Sequence, residues 1–306
     1  MIAPARRLRT PNATLELGGR PWLMGIVNAT PDSFSDGGRH QTLQERVELA
    51  RAQLAAGADV IDIGGESGVT NRPAIDPGKE IGRVVPLIER VAGELGALVS
   101  VDTYKPAVAR AAIAAGAAIV NDVSGLRDPA LADVCAQTGA ALIVMHTRAA
   151  PKQKLHDPSY DGRIVPDVRE FLAERIALAL DRGLTPEQIM VDPGPDFAKT
   201  PAQTVEVLRA LAGLHRLGFP LLLAVSRKDF VGAITRRAPR ERLGGTLAAM
   251  AFGVDAGAHV VRIHDVGQAA DFLAVQSVLR GAAEIDPGLR ISDALRWEPR
   301  SDPSAL

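Results

Sequence analysis

Polar side chains that could do chemistry follow a series of short apolar segments along the chain. In order they are Asn28, Asp62, Asp102, Asn121 with Asp122, His146, Asp192, Ser226 with Lys228, and Arg262 with His264. A single Asp or Asn after an apolar segment is explained by a turn or a helix cap, because both residue types favour these positions. A polar residue after every segment indicates that the segments deliver their side chains to one shared ligand site.

Three of these residues are rich in hydrogen-bond acceptors and follow strongly apolar segments. We expect Asp102, Asn121 and Asp192 deep in the site, where buried carboxylates and amides need partners. A flat ligand that presents several N–H donors would satisfy such a set. An alternative for Asp102 is a purely structural role as the cap of a helix that begins near residue 106.

A second set carries donors and follows the last two apolar segments. Lys228, Arg262 and His264 can each donate to an anion such as phosphate. An exposed surface position is a plain alternative for Lys228, but it fits Arg262 poorly because Arg262 lies within an apolar segment. We expect these donors to face the acceptors across the site. The two sets then predict one ligand with a donor-rich ring and an anionic tail.

Two longer polar stretches complete the candidate site. Residues 28–38 combine turn-forming residues with two carboxylates, which suits a mobile lid or a clamp for magnesium and phosphate. Residues 64–73 include Thr70 and Arg72, and both side chains could contact an anion. His146 has no His or Asp partner at the spacing of a zinc site, so we expect a structural role or a place in the wall of the site.

The helices and strands that must position these residues are predicted from a repeated junction, in which a helix end is followed by a glycine and an apolar strand. It occurs at residues 56–63, 115–121, 138–145 and 256–262. Glycine accepts the left-handed backbone that ends a helix, and a continuous β-branched run suits a strand covered on both faces. Further strands are predicted at 23–27, 98–101, 189–191 and 221–225. Amphipathic helices are predicted at 43–56, 80–95, 107–115, 165–182, 202–214, 246–256 and 269–279.

Eight strand–helix units in 306 residues predict a (β/α)8 TIM barrel, a single-domain α/β fold with a short N-terminal hairpin. An open doubly wound sheet is the alternative, but no GxGxxG follows the first strand. We predict a hairpin or cap at residues 1–22, with the hairpin itself near 11–22, a barrel at 23–282 and a tail at 283–306. In such a barrel, ligands bind at the carboxyl ends of the strands, and phosphate is commonly held by the last two loops.

Composition excludes several other classes of protein. The chain has 35 basic and 36 acidic residues, which argues against a nucleic-acid binder that uses a basic surface. The single cysteine, Cys135, cannot form an internal disulfide or a thiolate metal site. No apolar run approaches the roughly 18 residues of a membrane span, and the first twelve residues do not resemble a signal peptide. We therefore expect a cytoplasmic protein without a membrane or nucleic-acid partner.

The motifs resemble those of the dihydropteroate synthases of folate biosynthesis. Residues 24–38, MGIVNATPDSFSDGG, are similar to the first signature of that family almost letter for letter. Residues 62–67, 100–103, 121–123, 192–194, 226–228 and 262–266 resemble its further motifs. The resemblance covers residues 15–279. It implies condensation of 6-hydroxymethyl-7,8-dihydropterin diphosphate with 4-aminobenzoate to give dihydropteroate and pyrophosphate, with magnesium, in a homodimer.

The resemblance also implies a role for individual residues. The pterin would be bound by Asp102, Asn121, Asp192 and Lys228, with Met145 and Phe197 packed near its ring. The pyrophosphate side would be bound by Asn28, Arg262 and His264, and Asn28 would act through magnesium. The aminobenzoate would be bound by Ser226 with the second loop, which carries Thr70 and Arg72. The catalytic residues would be Asp102, Asp192, Lys228, Arg262 and His264.

The second loop departs from the family pattern, and this leaves alternatives open. The family usually reads ESTRPG there, whereas residues 66–74 read ESGVTNRPA. The change lies beside the expected aminobenzoate site and makes the second substrate and the sulfonamide response open questions. One alternative is a non-catalytic paralogue that binds pterin. Another is a pterin-binding methyltransferase with a corrinoid partner, which the SRK motif at 226–228 argues against.

Overall fold

The structure is a computed structural model, and it describes residues 6–30, 42–67, 73–155 and 158–297. The chain divides into two compact units, the first ending at Ala270 and the second beginning at Asp271. The domain boundaries expected from the sequence, after residues 22 and 282, stay predictions. Within the described ranges, none of the helices has both the length and the apolar character needed to span a bilayer.

The strands form one small and one large sheet. An antiparallel hairpin pairs β1 (Arg6–Arg9) with β2 (Thr14–Leu17). The large sheet consists of β3 (Trp22–Asn28), β4 (Val60–Gly64), β5 (Val99–Asp102), β6 (Ile119–Asp122), β7 (Ala141–Met145), β8 (Ile189–Asp192), β9 (Leu222–Leu223) and β10 (Val260–Ile263). Its eight strands are parallel and follow the order β8-β7-β6-β5-β4-β3-β10-β9. A parallel bridge from Val191 to Leu221 joins the two ends of this order, so the sheet nearly closes on itself.

Helices follow the strands. They are α1 (Leu43–Ala55), α2 (Pro77–Gly93), α3 (Pro106–Ala114), α4 (Ala130–Thr138), α5 (Ile164–Asp181), α6 (Pro201–Arg209), α7 (Asp229–Thr235), α8 (Leu243–Asp255) and α9 (Val266–Leu279). Of these, α1 to α8 cover the outside of the sheet. Three of them begin at a proline, a residue whose fixed φ and missing N–H suit the first helical position. The predicted (β/α)8 barrel is confirmed.

Burial explains why the strands read as continuous apolar runs. All five residues of β4 and all five of β7 are buried, as expected for strands covered by helices outside and by side chains inside the barrel. The hairpin closes the amino-terminal end of the barrel, where Leu8 and Leu17 join a cluster with Met24, Ile119 and Ile143. The carboxyl ends of the strands are thereby left as the open mouth.

The structure corrects three local predictions. The strand expected at 221–225 is reduced to Leu222–Leu223, because its ladder with β10 ends at the pair Leu223 and Val261. The hairpin expected near 11–22 lies closer to the N-terminus, in β1 and β2. The short helices α4 and α7 are absent from the predicted set because nine and seven residues carry too little apolar periodicity to stand out.

Candidate active site at the mouth of the barrel

The centre of the mouth is an arginine held between two carboxylates. Arg262, on β10, donates from Nε to Asp62 Oδ2 at 2.6 Å and from Nη2 to Asp102 Oδ2 at 2.9 Å. Its side chain is 19% exposed, and that of Asp62 is fully buried. A buried guanidinium of this kind requires such partners, since its positive charge is otherwise strongly destabilised away from water.

Asp62 links this arginine to the next strand end. Its Oδ2 also accepts from Asn121 Nδ2 at 3.2 Å, while its Oδ1 has no hydrogen-bond partner within the described parts of the chain. The sequence analysis includes Asp62 among the polar strand ends but predicts no binding or catalytic role for it. The signal that could have given it a role is a carboxylate within the buried apolar strand VIDIG, where a charge needs a partner.

Asp102 combines a strong ion pair with a perturbed protonation equilibrium. Burial, opposed by the positive charge of Arg262 and reinforced by the negative charge of Asp62, raises the pKa of Asp102 to about 7. The alternative that Asp102 only caps α3 is wrong, because the residue before that helix is Lys105 and no side chain caps it. Asp102 therefore serves the mouth of the barrel, with a carboxyl group that titrates near neutral pH.

A second carboxylate stands across the mouth at the end of β8. Asp192 is 3% exposed and accepts from Gly194 N at 2.7 Å. Burial raises its pKa, while the positive charges of Lys228, Lys199 and Arg262 lower it. The ammonium of Lys228 lies 4.3 Å from the centroid of the Phe197 ring, and burial lowers the pKa of Lys228. The hydrogen-bond donor Lys228, the acceptor Asp192 and the apolar face of Phe197 thus lie near one another on this side of the mouth.

Lys199 is a further buried cation that the sequence analysis does not identify. Its Nζ donates to Gly194 O at 2.8 Å, to Phe197 O at 3.1 Å and to His146 O at 3.4 Å. Burial lowers the pKa of Lys199 to about 7. Two of these carbonyls belong to the loop after β8, which therefore wraps around the ammonium, and the third directly follows β7. The sequence does not predict this cluster, because every residue has a backbone carbonyl and its position depends on the fold.

Ser226 and His264 form a pair between the last two strand ends. Ser226 Oγ lies 2.9 Å from His264 Nδ1 and accepts from His264 N at 3.1 Å. Burial and the nearby positive charge of Arg262 lower the pKa of His264 to about 3. In the free protein at neutral pH, His264 is therefore a neutral imidazole whose Nδ1 is engaged by the serine.

Asn28 and Met145 complete the described part of the mouth. Gly64 separates Asn28 from Asp102, since a Cβ built on it would lie 3.7 Å from Asn28 Oδ1 and 3.6 Å from Asp102 Cβ. Met145 is buried at the end of β7. His146 is also buried and contacts Asp167 Oδ1 through Nε2 at 3.0 Å. Thr70 and Arg72 lie outside the described residues.

The predicted separation of donors from acceptors is wrong for Arg262. Its guanidinium lies among the acceptors, bonded to both carboxylates, instead of facing them from the rim. The reason is closure of the barrel: β10 neighbours β3, which neighbours β4, so a long side chain from β10 reaches the carboxylates of β4 and β5. Lys228 departs from the prediction in the same way, because its ammonium over the Phe197 ring is near enough to the acceptor Asp192 for that charge to raise its pKa.

The donor set fits a magnesium ion that arrives with a phosphate group. Within the described ranges, no group of three His, Cys, Asp or Glu residues could hold a metal. Asn28 offers one amide oxygen at the rim, and hard oxygen donors are what Mg²⁺ prefers. Mg²⁺ is commonly bound by one or two protein groups together with substrate phosphates and water, so the residues present fit this mode and not an all-protein cage.

The fold and this mouth define a (β/α)8-barrel enzyme that binds its ligand among buried charges at the carboxyl ends of the strands. Comparison with known proteins narrows this class. Residues 24–264 match the family model described as "Pterin binding enzyme". The dihydropteroate synthase of Bacillus subtilis (strain 168) is 39% identical over 264 residues, which span 86% of this chain and 90% of that protein. The Synechocystis dihydropteroate synthase is 41% identical, with 86% and 91% covered.

Solved structures lead to the same family. Xanthomonas albilineans dihydropteroate synthase with 4-aminobenzoic acid superposes with a TM-score of 0.83 at 40% identity, covering 90% of this chain and 99% of that one. The same enzyme in complex with 7,8-dihydropteroate gives 0.80 at 40% identity, covering 90% and 98%. A Yersinia pestis enzyme in a sulfonamide complex gives 0.84 at 36% identity, covering 90% and 100%. The chain belongs to the dihydropteroate synthase family of pterin-binding transferases.

Proposed function

We propose that this chain condenses 6-hydroxymethyl-7,8-dihydropterin diphosphate with 4-aminobenzoate to give 7,8-dihydropteroate and pyrophosphate. The observation that carries the proposal is the partly buried cluster of Arg262, Asp62 and Asp102 at the mouth, next to Asn121. These groups offer acceptors to a donor-rich ring and positive charge to a diphosphate. The family to which the chain belongs supports the same reaction.

The pterin ring binds by its edge and by its faces. Its 2-amino group and N3–H present two parallel donors, and the carboxylate of Asp192 accepts both. Asn121 and Asp102 bind the remaining polar atoms of the ring, and Lys228 donates to its carbonyl side. Met145 and Phe197 supply apolar contact to the ring. The binding free energy of such a ring comes from satisfying groups that are otherwise buried without ligand partners.

The reaction begins with cleavage of the C–O bond to the diphosphate. The bonding electron pair leaves with pyrophosphate, and the exocyclic methylene cation is delocalised into the pterin ring. Arg262 and His264 bind the leaving group, while the carboxylates of Asp102 and Asp192 favour the cationic ring. A magnesium ion held by Asn28 would supply further charge neutralisation. The aminobenzoate nitrogen then forms the C–N bond and loses a proton, so no protein nucleophile is required.

The second substrate is assigned to the rim near Ser226. Thr70 and Arg72 of the second loop would contact its carboxylate, and Asn28 and His264 would face the leaving pyrophosphate. Relatives of this family have been solved with 4-aminobenzoate and with a sulfonamide drug, which supports the same subsite and sulfonamide inhibition here. The altered sequence ESGVTNRPA at residues 66–74 is the specific feature that favours the alternative, a non-catalytic pterin-binding paralogue.

A steady-state assay of dihydropteroate formation tests the proposal. We expect magnesium-dependent turnover of the two substrates, abolished in Asp192→Ala and Arg262→Ala. Asp133→Ala is the matched control, because that carboxylate belongs to a surface pair with Arg182 and should leave turnover unchanged. Rapid product formation by either site variant would contradict the assignments. Calorimetric binding of pterin diphosphate without any turnover would instead favour the non-catalytic paralogue.

The proposal includes a cytoplasmic homodimer. Large apolar side chains stand exposed on neighbouring helices, with Ile234 on α7 at 66% and Phe252 on α8 at 50%. Exposed apolar groups of this size suit burial against a second subunit. Sedimentation equilibrium should give twice the mass of the chain, and Phe252→Glu should shift it toward the monomer. A monomer at all concentrations of the natural chain would contradict this part of the proposal.

A further inference from the structure

A buried arginine outside the mouth contacts the backbone of the turn that carries Lys228. Arg242, which directly precedes α8, donates from Nη1 to Arg227 O at 2.9 Å, to Lys228 O at 3.1 Å and to Asp229 Oδ1 at 2.9 Å. Its Nε donates to Arg237 O at 3.0 Å, and its side chain is 11% exposed. One guanidinium thus donates hydrogen bonds to the carbonyls of two consecutive residues at the start of α7.

Two local features of this contact are unfavourable in themselves. A positive charge beside the first turn of a helix opposes the helix dipole, which favours negative charge there. A glycine, Gly232, occupies the second turn of α7, and a Cβ on it would overlap with the Arg242 guanidinium. Glycine within a helix is destabilising relative to alanine. Neither the charge at the start of the helix nor the glycine within it stabilises α7 locally. Such departures from local preference are expected where the structure must position a functional site.

The same turn is fixed from two other directions. Arg227 has a left-handed backbone at φ 55°, which is uncommon for a residue other than glycine. Its backbone N–H donates to Thr246 Oγ1 on α8 at 3.0 Å. Its guanidinium forms two hydrogen bonds, of 2.6 and 3.1 Å, with Asp265, the second residue after β10. The peptide groups on both sides of this strained residue are therefore bound by α8 and by Arg242.

The side chains that depend on this turn belong to the mouth. Lys228 precedes the first residue of α7, and its ammonium lies over the Phe197 ring, near enough to Asp192 and Asp196 for their negative charges to raise its pKa against burial. The first turn of α7 also donates from Phe230 N to Asp196 Oδ2 at 3.2 Å. A shift of this turn would therefore move the Lys228 ammonium relative to both the carboxylates and the aromatic ring.

We propose that Arg242 is a positioning residue that fixes the backbone of Arg227 and Lys228 and so places the Lys228 ammonium for pterin binding. Gly232 is the complementary part of this device, since only glycine leaves room for the guanidinium against α7. The role in ligand binding rests on the proposed function. The placement of the Lys228 ammonium does not, and it can be measured without substrate.

The test compares Arg242→Lys and Gly232→Ala with the full natural chain. Lysine keeps the charge but has one nitrogen in place of three, so it cannot bond the carbonyls of Arg227 and Lys228 and that of Arg237 from two separate nitrogens as Arg242 does. Alanine removes no contact and favours the helix, yet displaces the guanidinium. We expect each variant to bind pterin diphosphate about tenfold more weakly by calorimetry, the size expected for weakening one charged hydrogen bond. The KM for the pterin should rise more than kcat falls.

Arg237→Lys is the matched control. Its side chain is 64% exposed and lies in the same segment, so binding and turnover should stay unchanged. A substrate-free measurement separates the two levels of the proposal. The rate of acylation of Lys228 with pH, followed by mass spectrometry, should report a lowered pKa in the natural chain and a different pKa in both variants, because displacement of the ammonium changes its burial and its distance from Asp192 and Asp196. The thermal midpoint serves as the measure of general stability.

Three outcomes would overturn the proposal. The first is unchanged titration of Lys228 in both variants. The second is unchanged pterin affinity despite a shifted titration. The third is loss of affinity and of the thermal midpoint together with kcat and KM affected equally, which would make the role merely structural. If the natural chain itself does not bind pterin diphosphate, the proposed function fails, whereas the titration of Lys228 still decides whether Arg242 positions its ammonium.

Discussion

Replacing Asp62 by asparagine removes one charge from the centre of the mouth while keeping its atoms. The amide oxygen can still accept from Arg262 Nε and Asn121 Nδ2, which both bond the same carboxylate oxygen, Oδ2. The amide N–H2 takes the place of Oδ1, which has no partner among the described residues. The substitution therefore isolates the contribution of charge from that of hydrogen bonding and packing.

The expected loss of stability follows from the geometry of the cluster. Opposite charges about 4 Å apart attract by about 4 kcal/mol at an effective dielectric constant of about 20. Part of this is recovered, because Arg262 keeps Asp102 as a partner and the repulsion between the two carboxylates disappears. We expect a net loss of about 2 kcal/mol in the free energy of unfolding, below the roughly 3–5 kcal/mol for a buried charge left alone.

The pH dependence of stability gives a second prediction for the same variant. In the folded natural chain the pKa of Asp102 is raised to about 7, so the folded state holds a proton that the unfolded state releases. The free energy of unfolding contributed by this group therefore falls as pH rises between about 4 and 7. Removing the neighbouring charge in Asp62→Asn lowers the pKa of Asp102, and the fall should become shallower.

Urea unfolding at several pH values measures both effects. Asp62→Ala should cost about 3–5 kcal/mol, because it leaves Arg262 Nε and the Asn121 amide unpaired. Asp133→Asn, in the surface pair with Arg182, should cost less than about 1 kcal/mol. Equal stability and an equal pH slope for Asp62→Asn and the natural chain would refute the reasoning. The negative charge of Asp62 would then contribute neither to the stability of the Arg262 pair nor to the pKa of Asp102.

Three further predictions concern groups around the mouth. Gly194→Ala should destabilise the protein by at least about 2 kcal/mol, because φ is +63° at this position and a Cβ would overlap with His146 O. Gly82→Ala is the control, because Gly82 has open space around it and the substitution should not destabilise the protein; thermal unfolding compares the two variants. Lys105→Met should cost about 3–5 kcal/mol in urea unfolding, because it leaves two buried carboxylates without their shared ammonium. Arg90→Met, at an exposed pair with Glu94, should cost much less, and similar costs for both variants would contradict this. Burial lowers the pKa of His146 to about 2, so the unfolded state takes up a proton below pH 6.5 that the folded state does not. The free energy of unfolding should therefore fall by about 1.4 kcal/mol for each unit of decreasing pH from this group. An unchanged slope at acid pH in His146→Gln would contradict this.

The barrel was accessible from the sequence because its signals are local. Glycine after a helix followed by a β-branched run is written within eight residues, and four copies of it define the repeat, as at Gly57 and Gly257. The polar strand ends were accessible for the same reason, since Asp102, Asn121 and Asp192 each follow an apolar run. The last strand before β10 was overestimated because pairing, and not composition, limits it to Leu222–Leu223.

The connections between the strand ends were not accessible. Arg262 bonds a carboxylate 200 residues away in the chain, and only closure of the barrel brings the two together. Lys199 is bound by backbone carbonyls, which every sequence contains. Arg242 stands outside the motifs and acts on a turn whose strain at Arg227 has no signature in residue type. Long-range polar contacts of this kind depend on the assembled fold.

The central claim is that one pocket at the mouth binds a pterin ring and its diphosphate together. A crystal structure with a non-reactive analogue of pterin diphosphate measures this most directly. We predict a ring with its 2-amino edge in hydrogen-bond distance of Asp192, its polar atoms near Asn121 and its diphosphate beside Arg262 and His264. An analogue ordered elsewhere on the molecule, with the carboxylates of the mouth left untouched, would contradict the account.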